Sequence, residues 1–494
     1  MPGYDVIVIG AGIVGTMIAR ELSKLKGRFA LIEKEPFPCF GVSKAGLSQI
    51  HLPDFCPPGS LKGKLCADAP TRFKALSREL DVTYREVGEL WLALEPGHRT
   101  NLEAARMRGE SHGAKGFEMI GPERIRELEP HVTPKAVAAL YAKGLAVVYV
   151  PEWGFALVEN AIQNGVHVHL ETHVQGIART EGGTYRVSAS NGVFETKYLI
   201  NAAGLHADEI GRMAGDTDIR LELRKGTMVI FDKSVAHLAQ NMIYGTFSET
   251  HSQDIAPTAH GNLILGVHYV KPKHKNDGKV SRESIHETVK LGQELIPALS
   301  EKDVITAFSG ILQSNSRASD GDFFIGPSDR SPGVIHVLAG APGLTAAPGI
   351  ADLVIKTLSD LGWRTEEKKR FQKNRAGWLR FEPASLDEKQ DLFLSDPRYG
   401  RIVCRCEQVT EAEILEAIRR GAHTMDSVKH LTRAGMGRCQ GGFCGIRVLN
   451  HLAEQLKISP TQVTKKGRGS YHIAGFTKQQ GDSGPISHGP ENSH

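Results

Sequence analysis

The first apolar segments of the chain alternate with a glycine-rich turn and a helical pattern. The run YDVIVIG, the segment AGIVGTMIARELSKL and the run RFALIEK follow one another over residues 4–34. Buried strands of a parallel sheet read as continuous apolar runs, and helices connect them. We therefore expect strand, turn, helix and strand, which is one unit of a doubly wound sheet.

Stretches of alternating apolar and polar residues follow in the middle of the chain. They lie at 86–94 and within 221–270, for example RKGTMVIFDK and GNLILGVHY, and are separated by helical segments such as IRELE. A period of two predicts antiparallel strands with one face buried. The later segment VIHVLAGAPGLTAAPGIADLVIKTL again reads as strand, turn and helix. We expect a fold class of α/β plus α+β: a Rossmann-type domain, an antiparallel-sheet substrate domain and a third domain described next.

The last fifth of the chain predicts a small helical, cysteine-rich domain. Its helical runs TEAEILEAIRRG and GIRVLNHLAEQLK surround the segment GMGRCQGGFCG. Before it, 366–398 lacks clear periodicity and predicts a linker, and the Gly-, Ser-, Lys- and His-rich end predicts a mobile tail. The expected limits are 1–85, 145–220 and 320–365 for the first domain, 86–144 and 221–319 for the substrate domain, 366–398 for the linker, 399–465 for the cysteine domain and 466–494 for the tail.

Four cysteines in this last domain have the spacing of a cluster site. Cys404 and Cys406 form CxC, and after 32 further residues Cys439 and Cys444 form CxxxxC. Four soft thiolates suit a [2Fe-2S] cluster. Zinc is the main alternative, although zinc sites usually pair cysteines as CxxC, and free thiols are the third. The neighbouring glycines would let backbone N–H groups point at the sulfurs; they are Gly437, Gly441 and Gly442.

Composition excludes several classes of protein. The net charge is +4 with 23% charged residues, and no basic stripe stands out, so nucleic-acid binding is not expected. We see no secretion signal and no apolar run near the roughly 20 residues of an integral membrane segment. Seven cysteines without an export signal indicate a reducing compartment, and hence a cytoplasmic protein.

The glycine turn near the N-terminus predicts a dinucleotide site. Gly10, Gly12 and Gly15 form GAGIVG between the first strand and helix, where backbone can approach a pyrophosphate and the helix N-terminus stabilises its charge. Glu33 ends the next strand 23 residues after Gly10, in position to accept hydrogen bonds from ribose hydroxyls. The alternative is a tight turn that only packs helix on strand.

FAD is favoured over a nicotinamide because only one such fingerprint is present. Gly340, Gly343 and Leu344 precede a predicted helix whose N-terminus could stabilise negative charge on a reduced flavin, although a plain loop is the alternative. A two-electron cofactor and a one-electron cluster on one chain indicate an electron-transferring dehydrogenase.

Several segments together resemble a known family. They are GVSKA with PPGSLKGKL, INAAGLHADEI, APTAHGNLILG, GAPGLTAAPGIAD and CRCEQVT with GMGRCQGGFCG. The chain is similar, up to about residue 470, to the large subunit of anaerobic glycerol-3-phosphate dehydrogenase. That family combines a D-amino acid oxidase type of FAD enzyme with a domain like bacterioferritin-associated ferredoxin. The resemblance implies FAD contacts at Gly10, Gly12, Gly15, Glu33, Ser43, Val174, Ala203 and Gly204, and cluster ligation by Cys404, Cys406, Cys439 and Cys444.

The substrate side departs from this family. Relatives typically read SKANSGIVHAGYD, whereas this chain reads SKAGLSQIHLPDF and keeps only His51 of the HAG element. Relatives also carry an arginine where this chain has Leu312 and Gln313, and Arg317 is a candidate replacement from a shifted loop. Arginine binds anions in a bidentate manner, so these changes leave the substrate open.

Histidine is the expected proton carrier. Oxidation of an alcohol or amine by flavin requires a group that takes the O–H or N–H proton, and a neutral imidazole suits that role. His51 in the loop that should face the flavin and His260 before a strand of the covering sheet are the candidates. Arg224 and Lys225 could bind an anionic substrate, or lie at a solvated strand edge.

Three functions remain open at this point. The first is a dehydrogenase of a small polar alcohol such as glycerol 3-phosphate, with electrons leaving through the cluster to a flavoprotein or quinone-linked partner subunit. The second is an amine or amino-acid dehydrogenase on the same scaffold. The third is a non-catalytic electron-relay subunit. A hetero-oligomer is expected, and its partners would place it at the periphery of the inner membrane.

Overall fold

The computed structural model describes residues 3–247 and 251–475; the predicted tail lies outside this part of the chain from residue 476 onward. Within the described part, no helix is both long and apolar enough to cross a membrane. The strands are β1 Gly3–Ile9, β2 Phe29–Ile32, β3 Gln49–Ile50, β4 Tyr84–Ala93, β5 Phe117–Ile120, β6 Ala138–Val148, β7 His167–His169, β8 Val174–Arg179, β9 Tyr185–Ala189, β10 Gly192–Asn201, β11 Leu221–Phe231, β12 Met242–Phe247, β13 His251–Pro257, β14 Leu263–Val270, β15 Val304–Asn315, β16 Phe324–Pro327, β17 Val334–Leu338, β18 Ile402–Cys404 and β19 Val409–Thr410. The α-helices are α1 Ile13–Ser23, α2 Leu61–Cys66, α3 Ala69–Leu80, α4 Arg99–Ser111, α5 Pro122–Leu128, α6 Val150–Gln163, α7 Ala207–Ala214, α8 Arg282–Leu295, α9 Gly343–Asp360, α10 Leu386–Ser395, α11 Glu411–Arg419, α12 Met425–Thr432 and α13 Gly445–Leu456.

The first sheet has a parallel centre covered by helices on both faces. Its main path runs β16-β17-β10-β1-β2-β7, and β8 and β9 extend it from β10. Pairs β1 with β2, β1 with β10 and β10 with β17 are parallel, as the continuous apolar runs predict. Helices α1, α6 and α9 supply most of one buried layer, including Trp153 and Ile350, which have no exposed surface. This sheet carries the glycine turn at the carboxyl end of β1.

The second sheet is largely antiparallel and lies over the first domain. Its path runs β15-β11-β14-β13-β12-β4-β6-β3, with β5 on β6. Strands β11 and β15 pair along their whole length, from Leu221 opposite Asn315 to Phe231 opposite Val304. The short strand β3, close in sequence to the first domain, joins this sheet through β6. The loop that follows β3 therefore lies where the two sheets meet.

The cysteine domain consists of the hairpin β18-β19 and helices α11, α12 and α13. Thr410 and Thr424 cap α11 and α12 with reciprocal side-chain and backbone hydrogen bonds to the third helical residue. The apolar faces of these helices bury one core that also contains Phe37 and Phe155 of the first domain. The predicted fold class, with its three parts, is confirmed.

The segment predicted to be a linker packs against the first domain and contains a helix. Residues 366–380 run along the first domain, where Arg375 donates to the carbonyl of Leu80 and to Glu159. Helix α10 follows and begins with a capping box formed by Ser385 and Glu388. Only Leu392 of α10 is buried, so the hydrophobic periodicity that reveals most helices is missing here.

Candidate active site and cluster site

In the glycine turn after β1, backbone segments lie so close to each other that a side chain would not fit between them. Gly10 has a φ of +103°, and a Cβ there would lie 2.5 Å from the carbonyl oxygen of Ala202. A Cβ on Gly15 would lie 1.9 Å from the carbonyl oxygen of Gly10. Gly12 is the N-cap residue of α1 and has no side chain to cap the helix, and of the first N–H groups of α1 that of Ile13 donates to Ser43 Oγ. A phosphate group fits such a helix N-terminus.

Glu33 and Ser43 lie beside this turn. The backbone N–H of Ala11 donates to Glu33 at 2.6 Å, and the N–H of Ile13 donates to Ser43 Oγ at 3.0 Å. Burial raises the pKa of Glu33 despite hydrogen bonds from the N–H groups of Glu35 and Ala11. The structure therefore brings together four of the predicted cofactor residues, Gly10, Gly12, Glu33 and Ser43, and holds the turn in one conformation.

The other residues predicted for the adenosine and phosphate side lie on the neighbouring strands. Val174 begins β8 and packs with Ile9 and Ile32 in one buried cluster, and Ala203 packs against that cluster. Gly204 follows with a φ of +56°, in the loop directly after β10. These positions surround the carboxyl ends of β1, β2 and β10, where ligands bind in open parallel sheets.

The third glycine segment also approaches backbone closely. A Cβ on Gly340 would lie 2.1 Å from the carbonyl oxygen of Gln313, and α9 begins at Gly343. Leu344, the second residue of α9, packs against the main core of the first domain. The N-terminus of α9 thus faces the point where β15 of the second sheet meets the first domain.

Two buried amides near α9 carry atoms without a hydrogen-bond partner. Gln49 Nε2 and Gln313 Oε1 have no partner among the described residues. Gln49 accepts at its carbonyl from Thr345 in the first turn of α9, and Gln313 donates from Nε2 to the carbonyl of Ala339. Buried polar atoms normally find partners, so a ligand with donors and acceptors, such as an isoalloxazine, fits here. The sequence offered no signal for Gln49 or for this property of Gln313.

His51 lies at the junction of the two sheets. Its backbone N–H donates to Thr345 Oγ1 of α9 at 3.2 Å, and its Nδ1 lies 3.3 Å from the hydroxyl of Tyr244 on β12. The ring also packs edge-on against Phe55, with centroids 5.2 Å apart. Burial lowers the pKa of His51 to about 4. The imidazole is therefore neutral at pH 7, as a proton acceptor must be.

Three buried carboxyl groups, those of Asp54, Glu89 and Asp254, lie near Tyr244, whose pKa is raised by burial and, to a lesser extent, by these groups. Asp54 and Glu89 have at most 1% of their surface exposed, and both carboxyl oxygens of Asp54 lack a hydrogen-bond partner among the described residues. Burial raises the pKa of Asp54 to about 7 and, mainly for the same reason, that of Glu89 well above its usual range. Burial also raises the pKa of Asp254 to about 7. At pH 7, Glu89 is therefore protonated, whereas Asp54 and Asp254 are each about half protonated.

His260 lies elsewhere, between the first domain and the cysteine domain. Its ring packs edge-on against Tyr149, with centroids 5.4 Å apart, and Tyr149 hydrogen bonds through its hydroxyl to His430 Nδ1 at 2.8 Å. Burial, and then the positive charge of Arg433, lowers the pKa of His260 well below its usual range. The structure does not place His260 in contact with His51.

Of the three cations considered for anion binding, two are engaged in protein contacts. Lys225 pairs with Asp277 at 3.0 Å. Arg317 pairs with Asp218 at 3.0 Å and with Asp329, so it does not replace the family's arginine. Its side chain is only 12% exposed, and its guanidinium also lies 4.7 Å from the ring centroid of Phe324. Arg224 on β11 is exposed and lies over the ring of Tyr269, 5.1 Å from its centroid.

The four predicted cluster cysteines form two pairs. The sulfurs of Cys406 and Cys439 are 3.7 Å apart, and the thiols of Cys404 and Cys444 hydrogen bond to each other. A tetrahedral ion with metal–sulfur bonds of about 2.3 Å holds two sulfurs about 3.8 Å apart. Among the described residues, no three His, Cys, Asp or Glu side chains converge as they would on a single ion. Two pairs fit a binuclear cluster better than one zinc ion.

The surroundings lower the pKa of one cysteine in each pair, Cys404 and Cys439, and raise that of the other, Cys444 and Cys406. The hydrogen bond from Cys444, with N–H groups of Gly435 and Glu407, lowers the pKa of Cys404 to about 6. A Cβ on Gly437 would lie 2.2 Å from Cys406 Cβ, so this glycine allows the two cysteine segments to meet. The N–H groups of Phe443 and Gly441 hydrogen bond to Cys439 and contribute to lowering its pKa.

Comparison with protein families gives two matches. Residues 5–357 match the model described as FAD dependent oxidoreductase, and residues 402–454 match the BFD-like [2Fe-2S] binding domain. These matches confirm the predicted cofactors, FAD and a [2Fe-2S] cluster.

Among curated proteins, the chain is similar to a glycerol 3-phosphate dehydrogenase of Caloramator mitchellensis. The two are 37% identical over 482 residues, which cover 97% of this chain and 99% of that protein. A glycerol 3-phosphate oxidase of Mycoplasma pneumoniae is 26% identical and covers 74% of this chain with 97% of its own length. An L-2-hydroxyglutarate dehydrogenase of Caenorhabditis elegans is 27% identical and covers 72% of this chain.

Solved structures support the fold. The L-alpha-glycerophosphate oxidase of Mycoplasma pneumoniae with FAD bound matches 77% of this chain and all of its own, with a TM-score of 0.71 and 24% identity. A glycerol-3-phosphate dehydrogenase of Bacillus halodurans matches 92% of this chain and 91% of its own, with a TM-score of 0.63 and 15% identity.

Proposed function

This chain belongs to the FAD dependent oxidoreductase family and carries a BFD-like [2Fe-2S] binding domain, and on that premise we propose that it is a dehydrogenase of glycerol 3-phosphate or a similar small polar alcohol. Its electrons leave through the cluster to a flavoprotein or quinone-linked partner subunit, through which the chain would meet the inner membrane. The observation that carries this proposal is the dehydrogenase relative that aligns with both domains, over 97% of the chain. The oxidase relative leaves about a quarter of the chain without a counterpart, since it covers 74%.

The residues around His51 support alcohol oxidation. FAD, when bound, supplies the acceptor for a hydride from the carbon that bears the hydroxyl group. The neutral His51 accepts the hydroxyl proton at Nε2, because Nδ1 is directed to the Tyr244 hydroxyl. Tyr244 and Thr345 fix the ring and its backbone in place.

Arg224 is the residue we propose for the substrate's anionic group. It lies directly opposite Leu312 in the pairing of β11 with β15, and Leu312 stands where related sequences carry an arginine. Side chains of directly opposed residues share one face of a sheet, with Cβ atoms about 5 Å apart. A guanidinium on β11 can therefore reach nearly the same place as one on β15. This assignment replaces Arg317 and Lys225.

The test is anaerobic reduction of the purified, iron-reconstituted protein. Glycerol 3-phosphate should bleach the flavin absorbance, and Arg224→Ala should raise the concentration needed for half-maximal reduction by about tenfold or more, since a charged hydrogen bond contributes about 1.5–3 kcal/mol. Arg317→Ala is the matched control and should leave that concentration unchanged. Bleaching only by amino acids would replace the proposal with an amino-acid dehydrogenase. Reduction by dithionite alone would favour the relay function.

A further inference from the structure

The two cysteine pairs differ in exposure. Cys404 and Cys444 are 1% exposed and lie in the core shared with Phe37 and Phe155 of the first domain. Cys439 is exposed and Cys406 is half-buried. If electrons leave through the cluster, as the proposed function requires, a partner can approach it only from the side of Cys406 and Cys439.

The surface around this exposed pair is basic. The two segments that carry the cysteines, 401–409 and 433–447, contain five arginines and one acidic residue, Glu407. Glu407 is buried and pairs with Arg433 at 2.9 Å and with Lys233 at 3.3 Å. It therefore adds no negative charge to the surface. Arg438 is exposed and pairs with Asp232 at 3.0 Å.

Two further arginines hold an exposed aromatic ring next to the cysteines. Phe443 is 42% exposed, and the guanidinium groups of Arg405 and Arg447 lie 4.5 Å and 4.8 Å from its ring centroid. Within residues 3–247 and 251–475, Arg405 and Arg447 form no ion pair, and Arg447 bonds only weakly to the carbonyl of Ile402. Ile446, 58% exposed, continues the apolar surface along α13. Aromatic and arginine side chains are enriched in protein interfaces.

We propose that this rim, formed by Arg405, Arg438, Phe443, Ile446 and Arg447, is the docking surface for a one-electron carrier protein with an acidic face around its own redox centre. The unpaired guanidinium groups steer an acidic partner to the rim, and the apolar centre excludes water at contact. The partner's centre then lies next to Cys439 and Cys406. The bound cluster's own negative charge is the competing reason for arginines here, and the experiment separates the two.

The experiment does not use the alcohol substrate. Oxidised holoenzyme is mixed with a reduced, acidic plant-type ferredoxin, and reduction of the enzyme's cluster is followed by stopped-flow absorbance and electron paramagnetic resonance. Arg405→Glu combined with Arg447→Glu should lower the second-order rate constant at low salt by about tenfold or more. The wild-type rate should fall steeply with ionic strength, and that of the variant should not.

The matched control changes the same charge at two exposed arginines of the first domain, Arg179→Glu on β8 with Arg364→Glu after α9. It should keep the wild-type rate within about twofold. An equally large loss of rate in this control would show that the net charge of the protein, and not the rim, determines the rate. That result would overturn the proposed docking surface. A rim variant with an altered cluster midpoint potential but unchanged ferredoxin affinity by calorimetry would also overturn it. If these results hold while glycerol 3-phosphate fails to reduce the flavin, the substrate proposal fails and the docking surface stands.

Discussion

Replacement of His51 by asparagine tests the proton transfer directly. Asparagine keeps a polar side chain that can meet the Tyr244 hydroxyl, but it cannot accept a proton near neutral pH. We expect the rate of flavin reduction at saturating glycerol 3-phosphate to fall about 100-fold to 10,000-fold, the usual contribution of a general base. FAD content should not change, because His51 lies apart from the glycine turn. Anaerobic stopped-flow absorbance measures both quantities.

The pH dependence follows from the burial of His51. A pKa of about 4 instead of 6.5 means that burial disfavours the imidazolium by at most about 3.4 kcal/mol. The free protein therefore keeps the neutral base down to about pH 4. A bound anionic group opposes this: one unit charge about 5 Å away contributes about 3.3 kcal/mol at an effective dielectric constant of about 20. Substrate binding should thus return the pKa of His51 towards 6.5.

Two pH profiles measured in the same experiment should therefore fall at different pH values on the acidic side. The ratio of the saturating reduction rate to the substrate dissociation constant depends on the protonation of the free protein. This ratio should fall only near pH 4. The rate at saturation reports the complex and should fall at a pH up to about two units higher. His260→Asn is the matched control and should change neither profile. The reasoning is refuted if this ratio already falls near pH 6.5. It is also refuted if His51→Asn lowers the rate of flavin reduction by less than tenfold.

Three other substitutions have defined outcomes. Gly15→Ala places a Cβ 1.9 Å from the carbonyl oxygen of Gly10 and should abolish flavin retention on purification, whereas Gly41→Ala, with no atom within 4 Å, should not. Asp254→Asn should raise the thermal midpoint at pH 8 and leave it unchanged near pH 4. The pKa of Asp254 in the folded protein, about 7, exceeds its usual value of 3.8. The wild type therefore loses up to about 4 kcal/mol of stability as the pH rises from about 4 to about 7. Cys406→Ser should remove the cluster's visible absorbance and iron while the protein keeps its flavin.

The parts of the fold that were predictable depend on local rules. The unit β1, α1 and β2 follows from apolar runs and a glycine turn, and the structure places its bounds within two residues of the pattern at most ends. Helices α11 and α13 were visible because their apolar residues recur at helical spacing and end beside Gly421 and Lys457. In such segments the sequence neighbours of a residue determine its conformation.

Residues around the candidate site were less predictable because they depend on strand register. Tyr244 reaches His51 only because β12 pairs with β4 and β13, and nothing in MIYGTF distinguishes it from a core tyrosine. Gln313 meets Gly340 only because β15 ends at the first domain. Arg317 was predicted to replace the missing arginine because it follows Leu312 and Gln313 closely in sequence. In the structure it forms ion pairs with Asp218 and Asp329 instead.

The cysteine domain packs against the first domain. One side of the cysteine site is therefore buried between the two domains, and the other side is open to solvent. Phe37 and Phe155 stack with centroids 5.3 Å apart in the core shared with Cys404 and Cys444. Tyr149 and His430 add a partly buried hydrogen bond across the same junction. The inner cysteine pair is therefore buried on the side of the first domain, and under the proposed electron path it is the pair that faces the flavin. Because only the outer pair, Cys406 and Cys439, meets solvent, the proposed path predicts that an external acceptor does not compete with the substrate for access to the flavin.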